Sequence, residues 1–131
     1  MPTYMLDTDS VSLALRGQGR VAECILDHRP SELCISSITL AELRYGAEMR
    51  RSRKLRRLIR TFEDSVEVMP FDHSAAIQFG VVAVELARRG EPIGSFDTLL
   101  AAHALSLDLT FITNNERHFK RVPGLSTENW I

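Results

Sequence analysis

Residues 4–10 have the sequence Tyr4-Met5-Leu6-Asp7-Thr8-Asp9-Ser10, in which a short strand candidate, 4–6, passes directly into acidic and hydroxyl side chains. Further short apolar runs are strand candidates at residues 33–36, 66–69 and 109–113, and residues 127–131 are a candidate for a last edge strand. Helical patterns separate them at residues 10–16, 20–28, 38–49, 52–64, 73–89 and 96–106. Because strands that alternate with helices are typical of βαβ units, the sequence predicts an α/β fold with a parallel sheet covered on both faces.

The composition is that of an ordinary globular protein. The chain has 131 residues, of which 44% are hydrophobic and 25% are charged. These values predict a single domain over residues 1–131 and exclude a disordered tail protein, a coiled coil and a collagen-like repeat. The two cysteines, Cys24 and Cys34, are too few for a disulfide framework, and we expect Cys34 in the core.

Charge and hydropathy favour a cytoplasmic protein without pointing to a particular partner. Sixteen basic residues face seventeen acidic ones, so the formal charge of −1 does not itself indicate nucleic-acid binding. The first residues lack the apolar segment of a signal peptide, and no apolar stretch is long enough to span a membrane. We therefore expect a soluble cytoplasmic domain with no membrane contact.

Acidic and polar residues follow the predicted strands or open the predicted helices. Asp7 follows the first strand, Glu42 lies in the helix after the second strand, and Asp97 opens the helix at 96–106. A polar cluster, Thr113-Asn114-Asn115-Glu116, follows the fourth strand. Because α/β folds bind ligands at the carboxyl ends of their parallel strands, we expect these side chains to converge there in an exposed site.

Each acidic residue also has a purely structural interpretation. Asp7 or Asp9 is suited to cap the first helix, Thr39-x-x-Glu42 matches a capping box, and Asp97 suits the positive end of a helix dipole. The sequence leaves these alternatives open for each residue taken singly. The expected convergence at one sheet edge favours a functional site.

Converging carboxylates indicate a divalent metal. Such groups raise one another's pKa, and a cation relieves the repulsion. Oxygen ligands suit Mg²⁺ or Mn²⁺, and the site would suit hydrolysis of a phosphodiester bond by water. The scattered histidines, His28, His73, His103 and His118, are expected on the surface or on helix faces and not as zinc ligands. The sequence has no glycine-rich phosphate loop, which argues against the use of ATP.

Basic residues are concentrated between residues 44 and 60, which hold eight of the sixteen positive charges and a single acid, Glu48. In the helix at 52–64, the positions Arg53, Arg56, Arg57 and Arg60, here called the arginine stripe, lie opposite an apolar face formed by Leu55, Leu58, Ile59 and Phe62. Within residues 44–60, no acidic residue lies one helical turn from a stripe arginine. Both a solvated face and a surface that binds RNA phosphates are consistent with this pattern.

The helix at 73–89 is apolar around most of its circumference. Such a helix is either deeply buried or contacts a protein partner as well as the core. The sequence leaves both alternatives open.

Four motifs occur in order along nearly the whole chain. They are Met5-Leu6-Asp7-Thr8-Asp9, Ile35-Ser36-Ser37-Ile38-Thr39-Leu40-Ala41-Glu42-Leu43-Arg44-Tyr45-Gly46-Ala47, Pro92-Ile93-Gly94-Ser95-Phe96-Asp97 and Thr113-Asn114-Asn115-Glu116-Arg117-His118-Phe119. With the ending Val122-Pro123-Gly124-Leu125-Ser126-Thr127-Glu128-Asn129-Trp130, they resemble the VapC-type toxins of the PIN-domain ribonuclease family. Two positions depart from the family pattern: Asp9 stands where Asn is frequent, and Asn115 stands where many relatives have a fourth acid.

The resemblance implies a PIN-domain α/β/α sandwich with a central parallel sheet. It implies a Mg²⁺-dependent endoribonuclease, with Mn²⁺ as a substitute, that cleaves tRNA or rRNA and inhibits translation. The implied partners are RNA, a VapB-type antitoxin and a second copy in a homodimer, with DNA contacted only through the antitoxin complex. Asp7, Glu42 and Asp97 match the catalytic and metal-binding acids, and Asn115 matches the fourth catalytic position, where Thr113 and Glu116 are further candidates. The arginine stripe is then a candidate RNA-binding surface.

Two other functions remain open at this point. One is a PIN-domain nuclease of RNA processing or DNA metabolism without toxicity, and the other is a non-catalytic binding module. The presence of Asp7, Glu42 and Asp97 argues against the binding module.

Overall fold

A computed structural model describes residues 2–131, so Met1 of the predicted domain lies outside the described residues. The strands are Tyr4–Leu6 (β1), Leu33–Ser36 (β2), Glu67–Met69 (β3), Thr110–Ile112 (β4) and Thr127–Glu128 (β5). The helices are Thr8–Leu15 (α1), Val21–Leu26 (α2), Ser37–Arg50 (α3), Arg53–Ser65 (α4), His73–Arg88 (α5), Ser95–Ser106 (α6) and Glu116–Phe119 (α7), with a 3-10 turn at Pro30–Glu32. The predicted elements are confirmed, and the short α7 was not predicted because four residues carry no periodicity.

The sheet has the strand order β3-β2-β1-β4-β5, and every neighbouring pair is parallel. The chain builds β1, β2 and β3 in one direction and then returns to place β4 on the other side of β1. This reversal opens a crevice at the carboxyl ends of β1 and β4, which is where α/β sheets of this kind bind ligands. The α/β fold and the parallel sheet predicted from the sequence are confirmed.

The central strands β1, β2 and β4 bury both of their faces, which explains their continuous apolar sequences. Met5, Cys34 and Phe111 belong to a core that includes Val82, Leu86 and Leu100 of α5 and α6. The alternate strand residues, among them Leu6, Ile35 and Ile112, belong to a second core with Val11 of α1, Leu43 of α3 and Ile59 of α4. The side-chain period of two along each strand therefore separates two helical layers around one sheet.

Cys34 lies in the first of these cores, as predicted, and is fully buried. Burial raises the pKa of its thiol to about 12. The thiol therefore stays protonated at neutral pH, as expected of a cysteine that serves as a small apolar residue.

Helix α5 differs from one of the two expectations. Ala75, Val82 and Leu86 are buried, but Ile77 and Val81 are 59% and 61% exposed. The deeply buried alternative is therefore wrong. The helix packs one side against the core and presents an apolar strip, Ile77, Val81 and Val84, that no other part of the described chain covers.

No helix among residues 2–131 has the length and apolar character needed to cross a membrane.

Candidate active site

A small pocket of about 60 Å³, here called the acid pocket, lies at the carboxyl edge of the sheet. It is lined by Asp7, Thr8, Asp9, Glu42, Asp97, Leu100, Asn115 and Phe119. The four residues predicted from the sequence as catalytic, Asp7, Glu42, Asp97 and Asn115, therefore line one pocket. Each water molecule needs at least about 10–15 Å³ of such space, so the pocket has room for a small ion with water.

Asp7 is the first residue after β1 and the N-cap of α1. Its side chain accepts a hydrogen bond from the backbone N–H of Ser10 at 2.7 Å. Its own backbone N–H donates to the carbonyl of Ile112, at the end of β4. The capping interpretation is confirmed, and it coexists with the position in the pocket. The residue is only 5% exposed, so the expectation of an exposed position is wrong for Asp7.

Burial is the main influence on the Asp7 carboxyl group. It raises the pKa of Asp7 above its usual range, and the nearby charge of Asp9 adds to the rise. Hydrogen bonds from Ser10 and Thr113 oppose it. At neutral pH the charged form is therefore costly until a positive charge enters the pocket.

Glu42 lies in the second turn of α3 and is held by α1. The Thr8 hydroxyl donates to Oε1 of Glu42 at 2.7 Å, and the Thr39 hydroxyl lies 3.1 Å from that of Thr8. Burial raises the pKa of Glu42, the bond from Thr8 lowers it, and the charges of Asp97, Asp9 and Asp7 raise it further. Three neighbouring carboxylates thus act on Glu42 across the pocket.

The capping box predicted for Thr39 and Glu42 is wrong. Ser36 is the N-cap of α3, and its side chain accepts from the backbone N–H of Ile38. The Ser36 hydroxyl also lies 2.8 Å from Nδ1 of His103, which is fully buried on α6. His103 therefore lies on a helix face, one of the two placements expected from the sequence, and its contact joins α6 to the start of α3.

Asp97 lies in the first turn of α6, as predicted. Gly94 precedes the helix with a φ of 93°, a left-handed conformation that glycine adopts without strain. Oδ2 of Asp97 lies 3.1 Å from Nε2 of His118 on α7. Burial raises the pKa of Asp97, His118 lowers it, and Asp9 raises it. His118 lies on a helix, as expected, but its contact with a carboxylate of the pocket was not predicted from the sequence.

The three candidates for the fourth position differ in placement. Asn115 lines the acid pocket, and its side chain makes no capping bond to α7. Thr113 is buried behind Asp7, and its hydroxyl accepts from the backbone N–H of Asn115 at 3.0 Å. Glu116 accepts a hydrogen bond from Thr127 of β5. Only Asn115 among the three lies in the acid pocket.

The donor set of the acid pocket fits a hard divalent cation. Its polar side chains offer carboxylate, hydroxyl and amide oxygens, which Mg²⁺ and Mn²⁺ prefer. Among residues 2–131, no three acidic, histidine or cysteine side chains are gathered tightly enough to enclose an ion by themselves. Mg²⁺ usually binds through one or two carboxylates and keeps several waters, so an open, partly solvated set of acids suits it.

Comparison with known proteins places this arrangement in a family. The model of the PIN domain matches residues 4–125. The chain is 39% identical over 132 residues to the tRNA(fMet)-specific endonuclease VapC of Salmonella typhimurium, with 99% of each chain covered. The chain belongs to the VapC ribonucleases of the PIN-domain family.

Solved VapC-type structures share the fold over their full length. The DNA-bound VapBC of Salmonella typhimurium matches with a TM-score of 0.86 and 39% identity, covering all of both chains. VapBC2 of Rickettsia felis, bound to a DNA fragment from its promoter, matches with a TM-score of 0.89 and 31% identity, covering 98% of this chain and 99% of that one. The resemblance in the sequence motifs is thereby confirmed.

The arginine stripe of this VapC-type chain differs partly from its prediction. Arg53, Arg57 and Arg60 are exposed, as expected. Arg56 forms two hydrogen bonds with Glu48 at 2.8 and 2.9 Å. The partner comes from α3, across the turn between the two helices, and so lies outside the spacing of acids within a single helix. None of the four stripe arginines lines the acid pocket.

Two other arginines near the VapC-type site were not predicted from the sequence. A groove of about 270 Å³, here called the flanking groove, is lined by Thr8, Asp9, Ser12, Leu15, Arg16, Glu42, Leu43, Gly46, Arg50 and Leu55. Arg16 follows the end of α1, and Arg50 is the last residue of α3. Arg50 lay within the basic segment of the sequence, but Arg16 is isolated there, so only the packing of α1 against α3 pairs them.

Proposed function

We propose that this VapC-type chain is the toxin of a type II toxin–antitoxin pair and acts as a Mg²⁺-dependent endoribonuclease, with Mn²⁺ as a substitute. The observation that carries the proposal is the acid pocket, in which Asp7, Glu42 and Asp97 from three separate elements face one another with oxygen donors only. The substrate is cellular RNA, tRNA or rRNA, in the cytoplasm, and its cleavage inhibits translation. The relative from Salmonella typhimurium, named for tRNA(fMet), supports a tRNA substrate.

Asp7 and Asp97 are the residues that would hold the cation, and Asn115 would contribute its amide oxygen or a bridging water. A divalent cation, when bound, activates water and neutralises charge on the scissile phosphate. Ser10 and Thr113 orient the Asp7 carboxylate, and His118 orients that of Asp97. Hydrogen bonds of this kind around a ligand fix its geometry before substrate binds.

Glu42 is the third acidic residue of the acid pocket. Thr8 fixes Oε1 of Glu42, which leaves Oε2 to orient the attacking water or to bind a second cation. A Mn²⁺ titration that counts bound ions separates these two roles. In the part of the chain that the structure describes, no serine or cysteine lines the acid pocket, and the Thr8 hydroxyl there is bound to Glu42, so we infer that water is the attacking group.

The deciding experiment is cleavage by the purified chain without antitoxin. Total RNA is incubated with the chain in Mg²⁺, in Mn²⁺ or in EDTA, and the new RNA 5′ ends are sequenced. We expect discrete cuts in tRNA or rRNA that require a divalent cation. Cuts confined to RNA precursors, without growth arrest on induction, would favour an RNA-processing nuclease. Absence of cleavage with either metal would favour a binding module.

The partner that neutralises the chain is a VapB-type antitoxin. The solved relatives from Salmonella typhimurium and Rickettsia felis are VapBC assemblies bound to DNA, which supports this partner and an indirect contact with DNA. The acid pocket suits a basic side chain of such a partner, because a guanidinium binds carboxylates through paired hydrogen bonds.

Self-association is expected through the exposed strip of α5. Light scattering at micromolar concentration should give the mass of two chains, because Ile77, Val81 and Val84 offer a continuous apolar surface. Val81→Asp should give the mass of one chain.

Leu26→Asp is the matched control for the α5 strip, since Leu26 is 85% exposed on α2 and lies outside the strip. A wild-type monomer at micromolar concentration would remove the dimer from the proposal.

The arginine stripe is proposed to bind RNA phosphates. Arg57→Gln/Arg60→Gln should flatten the dependence of log affinity on log salt by roughly 0.7 for each lost contact with single-stranded RNA. The measurement is made without divalent metal to prevent cleavage. An unchanged slope would mean that the stripe is a solvated face or an antitoxin contact.

A further inference from the structure

The flanking groove continues directly from the acid pocket. Thr8, Asp9 and Glu42 line both cavities, so one wall of residues joins them. The groove is the larger of the two, at about 270 Å³ against about 60 Å³. If RNA is cut in the acid pocket, the strand on one side of the cut must leave through an adjoining surface of this kind.

The charge of the groove changes sign along its length. Its shared end carries Asp9 and Glu42, and its lining also includes two arginines, Arg16 and Arg50. Among residues 2–131, neither arginine forms an ion pair with an acidic side chain. Arg50 lies eight residues after Glu42 on α3, a rise of about 12 Å. That distance corresponds to roughly three or four stacked nucleotides at about 3.4 Å each.

Gly46 lies between these two ends, in the middle of α3. Glycine is among the least favourable residues in a helix interior. A Cβ atom at this position would meet no atom of the described chain within 4 Å, so internal packing does not require glycine. A side chain at residue 46 would instead occupy the groove.

We propose that the flanking groove carries the sugar–phosphate backbone of the RNA strand away from the scissile bond, with Arg16 and Arg50 binding its phosphates. The proposal rests on the proposed ribonuclease function and names the path of the substrate. Arginine suits this role because its planar guanidinium binds phosphate oxygens in pairs. Gly46 leaves space for the strand, and Leu43 and Leu55 offer apolar contact to sugars.

The first test measures how much the charges of Arg16 and Arg50 contribute to RNA binding. A fluorescein-labelled single-stranded RNA of about 20 nucleotides is titrated in EDTA at several salt concentrations, with anisotropy as the readout. Arg16→Gln/Arg50→Gln should reduce the magnitude of the salt slope by roughly 1.4, or 0.7 per contact, and weaken binding roughly 25-fold at 0.1 M salt. Arg88→Gln, at the end of α5, removes an exposed arginine that does not line the groove and should bind as wild type.

The second test measures whether RNA binding needs the open space beside Gly46 in the flanking groove. Gly46→Leu should weaken RNA binding by filling the groove, while Gly46→Ala, which adds one methyl group, should bind nearly as wild type. Alanine and leucine both favour helix over glycine, so neither variant is expected to unfold α3. Circular dichroism and the melting temperature verify that both variants are folded.

Unchanged affinity and salt slope in the double arginine variant and in Gly46→Leu would overturn the proposed path. Normal RNA binding by a Gly46→Leu chain that no longer co-purifies with a co-expressed VapB-type antitoxin would also overturn it and assign the groove to that protein. These outcomes leave the ribonuclease function intact, provided that the wild type cuts RNA. A wild type that neither binds nor cuts RNA would instead contradict the proposed function itself.

Discussion

Asp7→Asn is expected to lower the rate of RNA cleavage by about a thousandfold or more, which corresponds to about 4 kcal/mol of transition-state stabilisation. Asparagine keeps the shape and a carbonyl oxygen that accepts from Ser10, so α1 retains its cap. It removes the negative charge that faces the acid pocket. Initial rates on a defined RNA in Mg²⁺, for both proteins, provide the measurement.

The same substitution should not destabilise the metal-free chain. Burial raises the pKa of Asp7, so the native charged form is costly at neutral pH, and a neutral amide avoids that cost. Asp64→Asn is the matched control, because Asp64 is exposed on α4 and lies outside the acid pocket. Wild-type cleavage by the Asp7→Asn protein would exclude Asp7 from the mechanism, and loss of cleavage through unfolding would appear as a lower melting temperature.

Saturating Mg²⁺ or Mn²⁺ is expected to stabilise the fold strongly. A ligand that binds only the folded chain, at a hundred times its dissociation constant, adds about 2.7 kcal/mol to the free energy of unfolding. For a chain of 131 residues this raises the melting temperature by about 10 °C. Differential scanning calorimetry with and without the ion, at constant ionic strength, measures the gain.

The stabilisation of the fold by Mg²⁺ or Mn²⁺ should be larger at pH 8 than at pH 5. Burial raises the pKa values of Asp7, Glu42 and Asp97 in the folded chain. Their contribution to stability is therefore fully present below roughly pH 4, where these groups titrate in the unfolded chain, and is lost as pH rises through the raised values. At high pH a cation offsets the cost of the buried charges, whereas at low pH it competes with protons.

The double variant Asp7→Asn/Asp97→Asn is the control for this metal effect and should gain little stability from either ion. An equal gain in the double variant and the wild type would place the metal elsewhere. An equal gain at pH 5 and pH 8 would contradict the coupling between metal binding and the titration of these acids.

The fold was predictable because its signals are local. Each central strand is buried on both faces and so appears as a short apolar run, such as Leu33–Ser36. The convergence of Asp7 and Glu42 followed from topology, since parallel strands direct their carboxyl ends to one edge, and Asp97 was expected there because it opens a helix. No knowledge of individual contacts was needed for either conclusion.

The details of the site that were not predicted from the sequence depend on packing between segments far apart in the chain. The sequence around Thr39 and Glu42 satisfies a capping box. In the structure, however, Ser36 is the N-cap of α3, and Thr8 of α1 donates a hydrogen bond to Glu42. The contact of His118 with Asp97 joins residues on different elements that share no pattern in the sequence. The burial of Asp7 likewise depends on β4, which lies more than a hundred residues further along the chain.

The position of β1 in the middle of the sheet has a consequence for biosynthesis. One of its neighbours, β4 at Thr110–Ile112, is made more than a hundred residues after it. At roughly 5–20 residues per second, translation separates the two by several seconds. During that interval the nascent polypeptide lacks both the strand beside Asp7 and Asn115, so a growing or prematurely terminated chain has no complete acid pocket. A chain that has not yet reached β4 and Asn115 therefore lacks the site proposed for RNA cleavage.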